Sequence, residues 1–484
     1  MPADVVLALD QGSSSTRCVA YGAGLRMVGS ASRKVSTRRP GPGMVEHDPD
    51  ELLDGVLEAI AEVRRQLPGS VAALGIADQT ESFLLWERDG GRASTPILSW
   101  QDQRAAGICD ELAGRPQAAS IAERTGLGLD PTFSAPKLAW LFGADPVLRR
   151  RAEAGELAFG DIACWLAWHL SGGAGHVTEP SNACRSLLVD LDSLEWDEGL
   201  LDLFGVPAAV LPEIRPSDGS ALITAGDAVG FAAPIAAMLG DQPAALYGQG
   251  CTEPGMAALT LGTGAFLWLN AGAERPRPPA GVLATAAWQR AGAGVTYALE
   301  AFCANAGNAL GMLGDMGLAP AGSSAAPPDW AGPHPIVVPA PSGLGTPRWH
   351  GEDRITVLDA SSATTRGDLA AAWLAGVAHQ IADALEAAGG TGVIRVGGGL
   401  AAHDGLLQAV ADLSGRSLEV AADLEATARG IAALAAQSAG AGGGAGAATI
   451  ARRVEPRLDD RGRSRERARW AAALDVHVQA QAEA

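Results

Sequence analysis

Lysine is almost missing from this 484-residue chain: of 36 basic residues, only Lys34 and Lys137 are lysines. A Walker loop needs a lysine directly after glycine, and here Arg33 and Pro136 precede the two, so P-loop nucleotide binding is excluded. Neither lysine sits in a VAIK-like strand, which removes a protein-kinase site as well. A net charge of −19 without clustered Lys and Arg argues against a general nucleic-acid or anionic-membrane surface. It leaves room for a local basic pocket around a phosphate. No stretch reaches about 18 uninterrupted apolar residues, so no membrane span is expected. The opening MPADVVLALDQG has no basic n-region and meets Asp10, unlike a secretory leader. Six cysteines (18, 109, 164, 184, 251 and 303) form no CxxC pair and read as reduced thiols of a cytoplasmic protein. The eight histidines make no metal-ligand spacing, and aromatics are only 5%.

What is present is apolar: 47% hydrophobic residues over a length that suggests two to four domains. Val5–Leu9 reads as a buried strand, Asp10 to Arg17 as a small polar turn, and Cys18–Tyr21 as a second strand. A hairpin loop of glycine and hydroxyls can close its donors around phosphate oxygens, with Asp10 orienting a phosphate-bound Mg²⁺ through water. The same segment also suits a plain surface turn. The pattern returns about 250 residues on: Met256–Leu261, the turn Gly262-Thr263-Gly264, then Ala265–Leu269. Just upstream, Ile235–Gly240 delivers Asp241-Gln242 at a strand end. Two such halves predict a duplicated α/β unit with nucleotide bridging the cleft. A third glycine cluster, Gly397-Gly398-Gly399, follows Val393–Val396 and precedes a helix expected from Leu400. Gly397, Gly399 and Ala402 also fit G-x-G-x-x-A, with Glu419 at the spacing of a ribose-binding acid, so an NAD site competes here. Against it, fewer than 90 residues follow Gly397.

Taken together, LALDQGSSSTR, GMVEHDPDEL (43–52), SWQDQR (99–104), GLGLDPTFSAPKLAWL (126–141), HVTEPSNACRSLL (176–188), GDQPAALYGQGC (240–251), GTGAF (262–266) and RVGGGLAAHDGLLQ (395–408) resemble the FGGY carbohydrate kinases. Those belong to the actin/Hsp70-like ATPase superfamily, and the similarity is greatest to glycerol kinases, running from about Val5 to Leu434. The resemblance implies an α/β fold of two ribonuclease-H-like lobes around a central nucleotide cleft, with ATP and Mg²⁺ as cofactors and a small polyol or sugar as acceptor. It assigns Asp241 as general base. Gly12, Ser13, Ser14, Ser15, Arg17, Gly262, Thr263, Gly264, Gly307, Gly398, Gly399 and His403 would contact ATP. His403 stands where glycerol kinases usually have Asn. Glu81, Trp100, Asp241, Gln242 and Phe266 would line the acceptor pocket, and Asp10 and Asp241 would face the Mg²⁺. A late proton transfer to Asp241 is what phosphoryl transfer to a hydroxyl requires. Asp241 also fits the plainer role of capping the helix after it.

Two departures bear on the acceptor. Thr80 and Thr132 stand where glycerol kinases carry Arg and Tyr, which removes a guanidinium and a phenol and opens volume for a larger polyol or ketose. Ser217 to Gly240 contains no Lys or Arg, so inhibition by a sugar bisphosphate at that segment is not expected. Lobe one is expected over 1–254 and lobe two over 255–436. For 437–484, a Gly/Ala link (438–448) and a solvated terminal helix are expected. Trp165, Trp168 and Trp196 read as core, Lys137 as a structural ion pair, and Asp102 and Arg104 as residues that orient the pocket. A non-catalytic nucleotide clamp remains an alternative to the kinase, no nucleic-acid or membrane partner is expected, and a homo-oligomer stays open.

Overall fold

An uninterrupted apolar run marks a strand covered on both faces, and β1 (Val5–Gln11) sits inside a six-stranded sheet. The computed structural model describes residues 5–482 apart from 68, 319–325, 352, 391, 424 and 442–447. The first sheet also holds β2 (Ser15–Gly22), β3 (Arg26–Lys34), β4 (Val71–Asp78), β5 (Leu222–Ile223) and β6 (Pro234–Gly240). Its order is β5-β6-β4-β1-β2-β3, with β6, β4 and β1 parallel and β1, β2 and β3 an antiparallel meander. Helix α1 (Pro49–Gln66) starts where the Asp48 side chain accepts the Asp50 and Glu51 amides, with Pro49 fixing the first turn. Leu52, Val56, Ile60 and Val63 then bury one stripe of it on the sheet. A smaller four-stranded sheet (Glu46–His47, Ile97–Leu98, Phe83–Glu87, Leu157–Asp161) and helix α2 (Ser134–Ala144) stand beside this lobe.

After helix α3 (Asp241–Gly248) the plan repeats. The second sheet comprises β7 (Ala257–Leu261), β8 (Ala265–Gly272), β9 (Leu283–Gln289), β10 (Val295–Cys303), β11 (Ile394–Gly397), β12 (Leu418–Ala421) and β13 (Ile450–Val454). Its order is β9-β10-β8-β7-β11-β12-β13. Leaving out the added edge strands, both sheets follow one order: a three-stranded meander whose first strand leads into two parallel strands. That is the duplication the two glycine hairpins foretold. Its helices are α4 (Gly307–Asp315), α5 (Arg366–Ala388), α6 (Asp404–Ser414), α7 (Ala426–Ser438) and α8 (Asp460–Ala482).

The lobes join where α3 crosses α7. A Cβ on Gly430 would lie 1.8 Å from the Ala244 carbonyl oxygen, and one on Gly248 would lie 1.9 Å from that of Ala426. Two glycines therefore let the backbones touch. Around this crossing, Ala8, Ala77 and Leu246 of the first lobe share one apolar core with Trp268, Ile431 and Leu434 of the second.

Three expectations change. The helix expected from Leu400 begins at Asp404, because Gly399–Ala402 winds as a 3₁₀ turn first. Thr16 and Arg17 belong to β2 rather than to the turn, since Thr16 already pairs with Gln11. The Gly/Ala link falls largely on 442–447, outside the described residues. The stretch after it is no solvated appendage: β13 extends the second sheet beside β12. Trp470 and Leu474 of α8 are buried against the β-strand Ile336–Ala340, and the Trp470 indole donates to Asp383 on α5 (2.9 Å). Charge at helical spacing concealed a narrow apolar stripe. Trp165 is buried and Trp168 packs against the same core, as expected.

Candidate active site

Strand ends and tight turns concentrate the site. β6 stops at Gly240 and Asp241 opens α3, so its carboxyl projects from a helix N-terminus at the lobe junction. A relay of bonds fixes that strand end: the Gly240 amide donates to Ser181 Oγ (2.9 Å), which donates to Glu179 (2.5 Å). Burial, then the neighbouring charges of Asp10 and Glu81, push the Asp241 carboxyl up to about 7. Burial also lifts Asp10 to about 6, helped by Glu425 and opposed by Arg17.

The first hairpin closes with the Gly12 amide on the Ser15 carbonyl (3.0 Å), leaving Gly12, Ser13 and Ser14 as its tip. In the second, the Gly262 amide reaches the Gly264 carbonyl (2.9 Å). The Thr263 carbonyl accepts amides from Ala306 and Asn308 at the start of α4, and the Gly307 amide donates to Gly262 (3.0 Å). Gly398 approaches the same spot: its φ is +86°, and a Cβ there would lie 2.4 Å from the Leu261 carbonyl oxygen. Residues 262–264, 307 and 398, scattered through the sequence, thus meet at one point. Gly399 opens the 3₁₀ turn beside them, and His403 caps α6, its Nδ1 accepting the Leu406 amide (3.1 Å). Arg17 reaches across the lobes to Glu425 (2.5 Å). The competing NAD reading loses its acid: Glu419 is buried and bound to Arg395 and Arg453.

Beside Asp241 opens a cavity of about 670 Å³ between the lobes. Ser13, Thr80, Glu81, Trp100, Thr132, Gln242 and Phe266 all line it. Glu81 is a buried, bulky residue at φ +62°, a strained backbone of the kind held at functional sites.

Three features of this pocket escaped the sequence reading. Arg185 lines it, fully inside the protein, pairing with Glu81 and with Glu300 (2.5 Å) of β10 in the other lobe. A guanidinium is therefore present, brought by another segment, although Thr80 has none. The Thr80 hydroxyl donates to Glu81 (2.5 Å). Lys137, expected in an ion pair, instead donates from α2 to three backbone carbonyls: Thr132 (2.7 Å), Ser99 (2.9 Å) and Glu81 (3.3 Å). One buried amine thus holds the three loops that carry Glu81, Trp100 and Thr132. Burial pulls its pKa down to about 7. Lastly, Trp268, Glu300 and Phe302 join Phe266 on one face of β8 and β10, where Phe266 opposes Phe302 and Trp268 opposes Glu300. A charge inside an apolar run, as in NACRSLL or TYALEAF, was the available signal for Arg185 and Glu300. Asp102 is buried, accepts from the Val45 amide (2.6 Å) and pairs with Arg104 (2.8 Å).

Models of the FGGY family of carbohydrate kinases match the chain in two pieces, the N-terminal domain over 5–248 and the C-terminal domain over 257–439. The chain belongs to this family. Similar curated FGGY proteins include the glycerol kinase of Citrifermentans bemidjiense, 41% identical over 94% of this chain and 95% of that one. Another is the glycerol kinase of Thermus brockianus, 43% identical over 88% and 90%. Among solved structures, Plasmodium falciparum glycerol kinase with ADP superposes at a TM-score of 0.93, with 26% identity and 98% of both chains covered. A gluconate kinase from Lactobacillus acidophilus shares the fold at a TM-score of 0.87 and 19% identity, covering 99% of this chain and 98% of that one. The family places the chain among ATP-dependent carbohydrate and polyol kinases, and the non-catalytic clamp is not favoured.

Proposed function

We propose that this FGGY kinase transfers the γ-phosphoryl group of ATP to a hydroxyl of a small polyol or sugar held beside Asp241. The observation that carries this reading is the placing of Asp241. It is half-buried at a helix start and lines one cavity together with Ser13 of the hairpin tip, Glu81 and Arg185, with its carboxyl near the pKa a general base needs. A carboxylate there takes the acceptor proton late in the transfer, while the two hairpins hold the phosphates by backbone amides and hydroxyls. Gly307, Gly398, Gly399 and His403 are the proposed nucleotide-side contacts, with Arg17 beside the first hairpin. Trp100 and Phe266 cover the acceptor's carbon face, and Glu81, Arg185 and Gln242 meet its hydroxyls.

The residues present suit a Mg²⁺ ion. Asp10 and Asp241 are two half-buried carboxylates whose pKa values both rise through desolvation and neighbouring negative charge, a cost that a nearby cation would relieve. Among the described residues no group of three or more His, Cys, Asp and Glu could hold a metal unaided. A pair of carboxylates completed by phosphate and water is how Mg²⁺ usually sits. Bound there, it would neutralise phosphate charge. A cytoplasmic location fits six buried free thiols and, among the described residues, no helix long and apolar enough to cross a membrane.

The test is ADP release with Mg-ATP over glycerol, erythritol, pentitols, xylulose, ribulose and gluconate, with Asp241→Asn alongside. Turnover of one acceptor that Asp241→Asn abolishes supports the reading. Binding of ATP with no acceptor turned over rejects it.

A further inference from the structure

The acceptor cavity is two-ended. Asp241, Glu81, Arg185 and Glu300 gather at its inner end, while the lobe-two wall continues outward as a row of aromatic rings. Phe266 and Phe302 face each other across β8 and β10 with ring centroids 4.7 Å apart. Phe302 then stacks on Trp349 at 6.3 Å and 27°. This outer ring is built in place. The Trp349 indole N–H donates to the Gly281 carbonyl (2.6 Å), and the preceding loop is tied to β10 by Thr346 amide to Phe302 carbonyl (2.8 Å) and Phe302 amide to Thr346 Oγ1 (3.0 Å). Trp349 is also held at φ +49°, a strained backbone for a bulky residue, and the residue stays 48% exposed while lining the cavity. Leu129 and the short Thr132, from lobe one, also line the cavity.

A triol bonded at the inner end would leave those rings against water. Cavities of several hundred Å³ lined mainly by aromatic and aliphatic groups suit ligands well beyond three carbons. We propose that Phe302 and Trp349 form a subsite for an apolar part of the acceptor, which is a polyol or sugar head carrying an alkyl or aryl portion. This rests on the kinase reading above and narrows its substrate class. The head presents its hydroxyl to Asp241, and the apolar portion lies along the Phe266–Phe302–Trp349 row, where ring contact and loss of water favour it.

The experiment compares kcat/KM for glycerol, xylitol and 3-phenoxy-1,2-propanediol in the wild-type protein, Phe302→Leu and Trp349→Ala. The expected result is a preference for the aryl-substituted diol over glycerol on the order of tenfold or more. Each substitution should cut that ratio on the order of tenfold. Trp349 is half-exposed, so its variant tests the subsite without opening the core. If glycerol or xylitol turns over while the aryl diol does not, or both variants leave the ratio unchanged, the subsite is overturned and the kinase reading survives. If neither these acceptors nor the wider panel above turn over, the kinase reading falls. Calorimetric titration with the aryl diol then decides the subsite: saturable binding lost in Trp349→Ala supports it, and no binding overturns it.

Discussion

The two walls of the acceptor pocket are made in different ways. Lobe one supplies loops: Glu81, Trp100 and Thr132 lie on three separate turns, held together by one buried amine, Lys137. Lobe two supplies a strand face, where Phe266, Trp268, Glu300 and Phe302 stand in register on β8 and β10. Loops aim individual polar groups but need an outside tether, whereas a sheet holds its side chains in place through its own ladder. The loop wall carries Glu81 and the hydroxyls of Thr80 and Thr132 beside Trp100, and the strand wall carries three aromatic rings beside Glu300. Asp241 and Arg185 join them.

The largest break is Asp241→Asn, which keeps both walls and removes the proposed base. Turnover should fall by roughly 10²–10⁴-fold, measured with saturating Mg-ATP. In the wild-type protein, kcat/KM should rise with pH through about 7, where Asp241 ionises. The native state holds this proton more tightly than the unfolded chain. The stability Asp241 contributes is therefore present at low pH and lost as pH rises from 3.8 towards about 7. At pH 8 the Asp241→Asn protein should accordingly melt at a higher temperature than wild type.

Arg185→Met severs the walls from each other. It leaves Glu81 and Glu300 buried without their shared cation, which should cost about 3–5 kcal/mol of stability, read by urea unfolding. Adding Glu300→Gln should recover part of the loss, because one of the two stranded charges is gone. Lys137→Met loosens only the loop wall. Three carbonyls lose their donor, at about 1–3 kcal/mol for each group left unsatisfied, and acceptor KM should rise while the KM for ATP stays within about twofold. An equal rise in both would show that Lys137 serves the fold at large. The smallest effect belongs to Arg17→Met. Its side chain is 44% exposed and pairs with Glu425, so stability should change by no more than about 1 kcal/mol, by thermal melting.

Most of what is local was legible. Val5–Leu9, the two glycine turns and the placing of Asp241 at a strand end follow from apolar runs and punctuating residues, and the structure has them within a residue or two. The Thr80 argument was incomplete for a physical reason: a side-chain loss at one position says nothing about a guanidinium arriving from 104 residues away. Lys137 departs from the expected ion pair because, once buried, its amine is met by backbone carbonyls in place of a carboxylate. The tail misled because α8 buries only a few residues beneath many charges.

By itself the sequence determined the duplicated α/β plan, the absence of a Walker loop and the chemical kind of the proposed catalytic groups, since strand periodicity, glycine turns and residue type act over short range. Only the tertiary structure decided which groups meet. Glu81, Arg185 and Glu300 close one pocket because two lobes cross at a glycine contact between α3 and α7, and 262–264, 307 and 398 converge because the turns after β7, β10 and β11 leave the same end of the sheet. Such meetings depend on chain reversals and packing hundreds of residues apart, which no local pattern encodes.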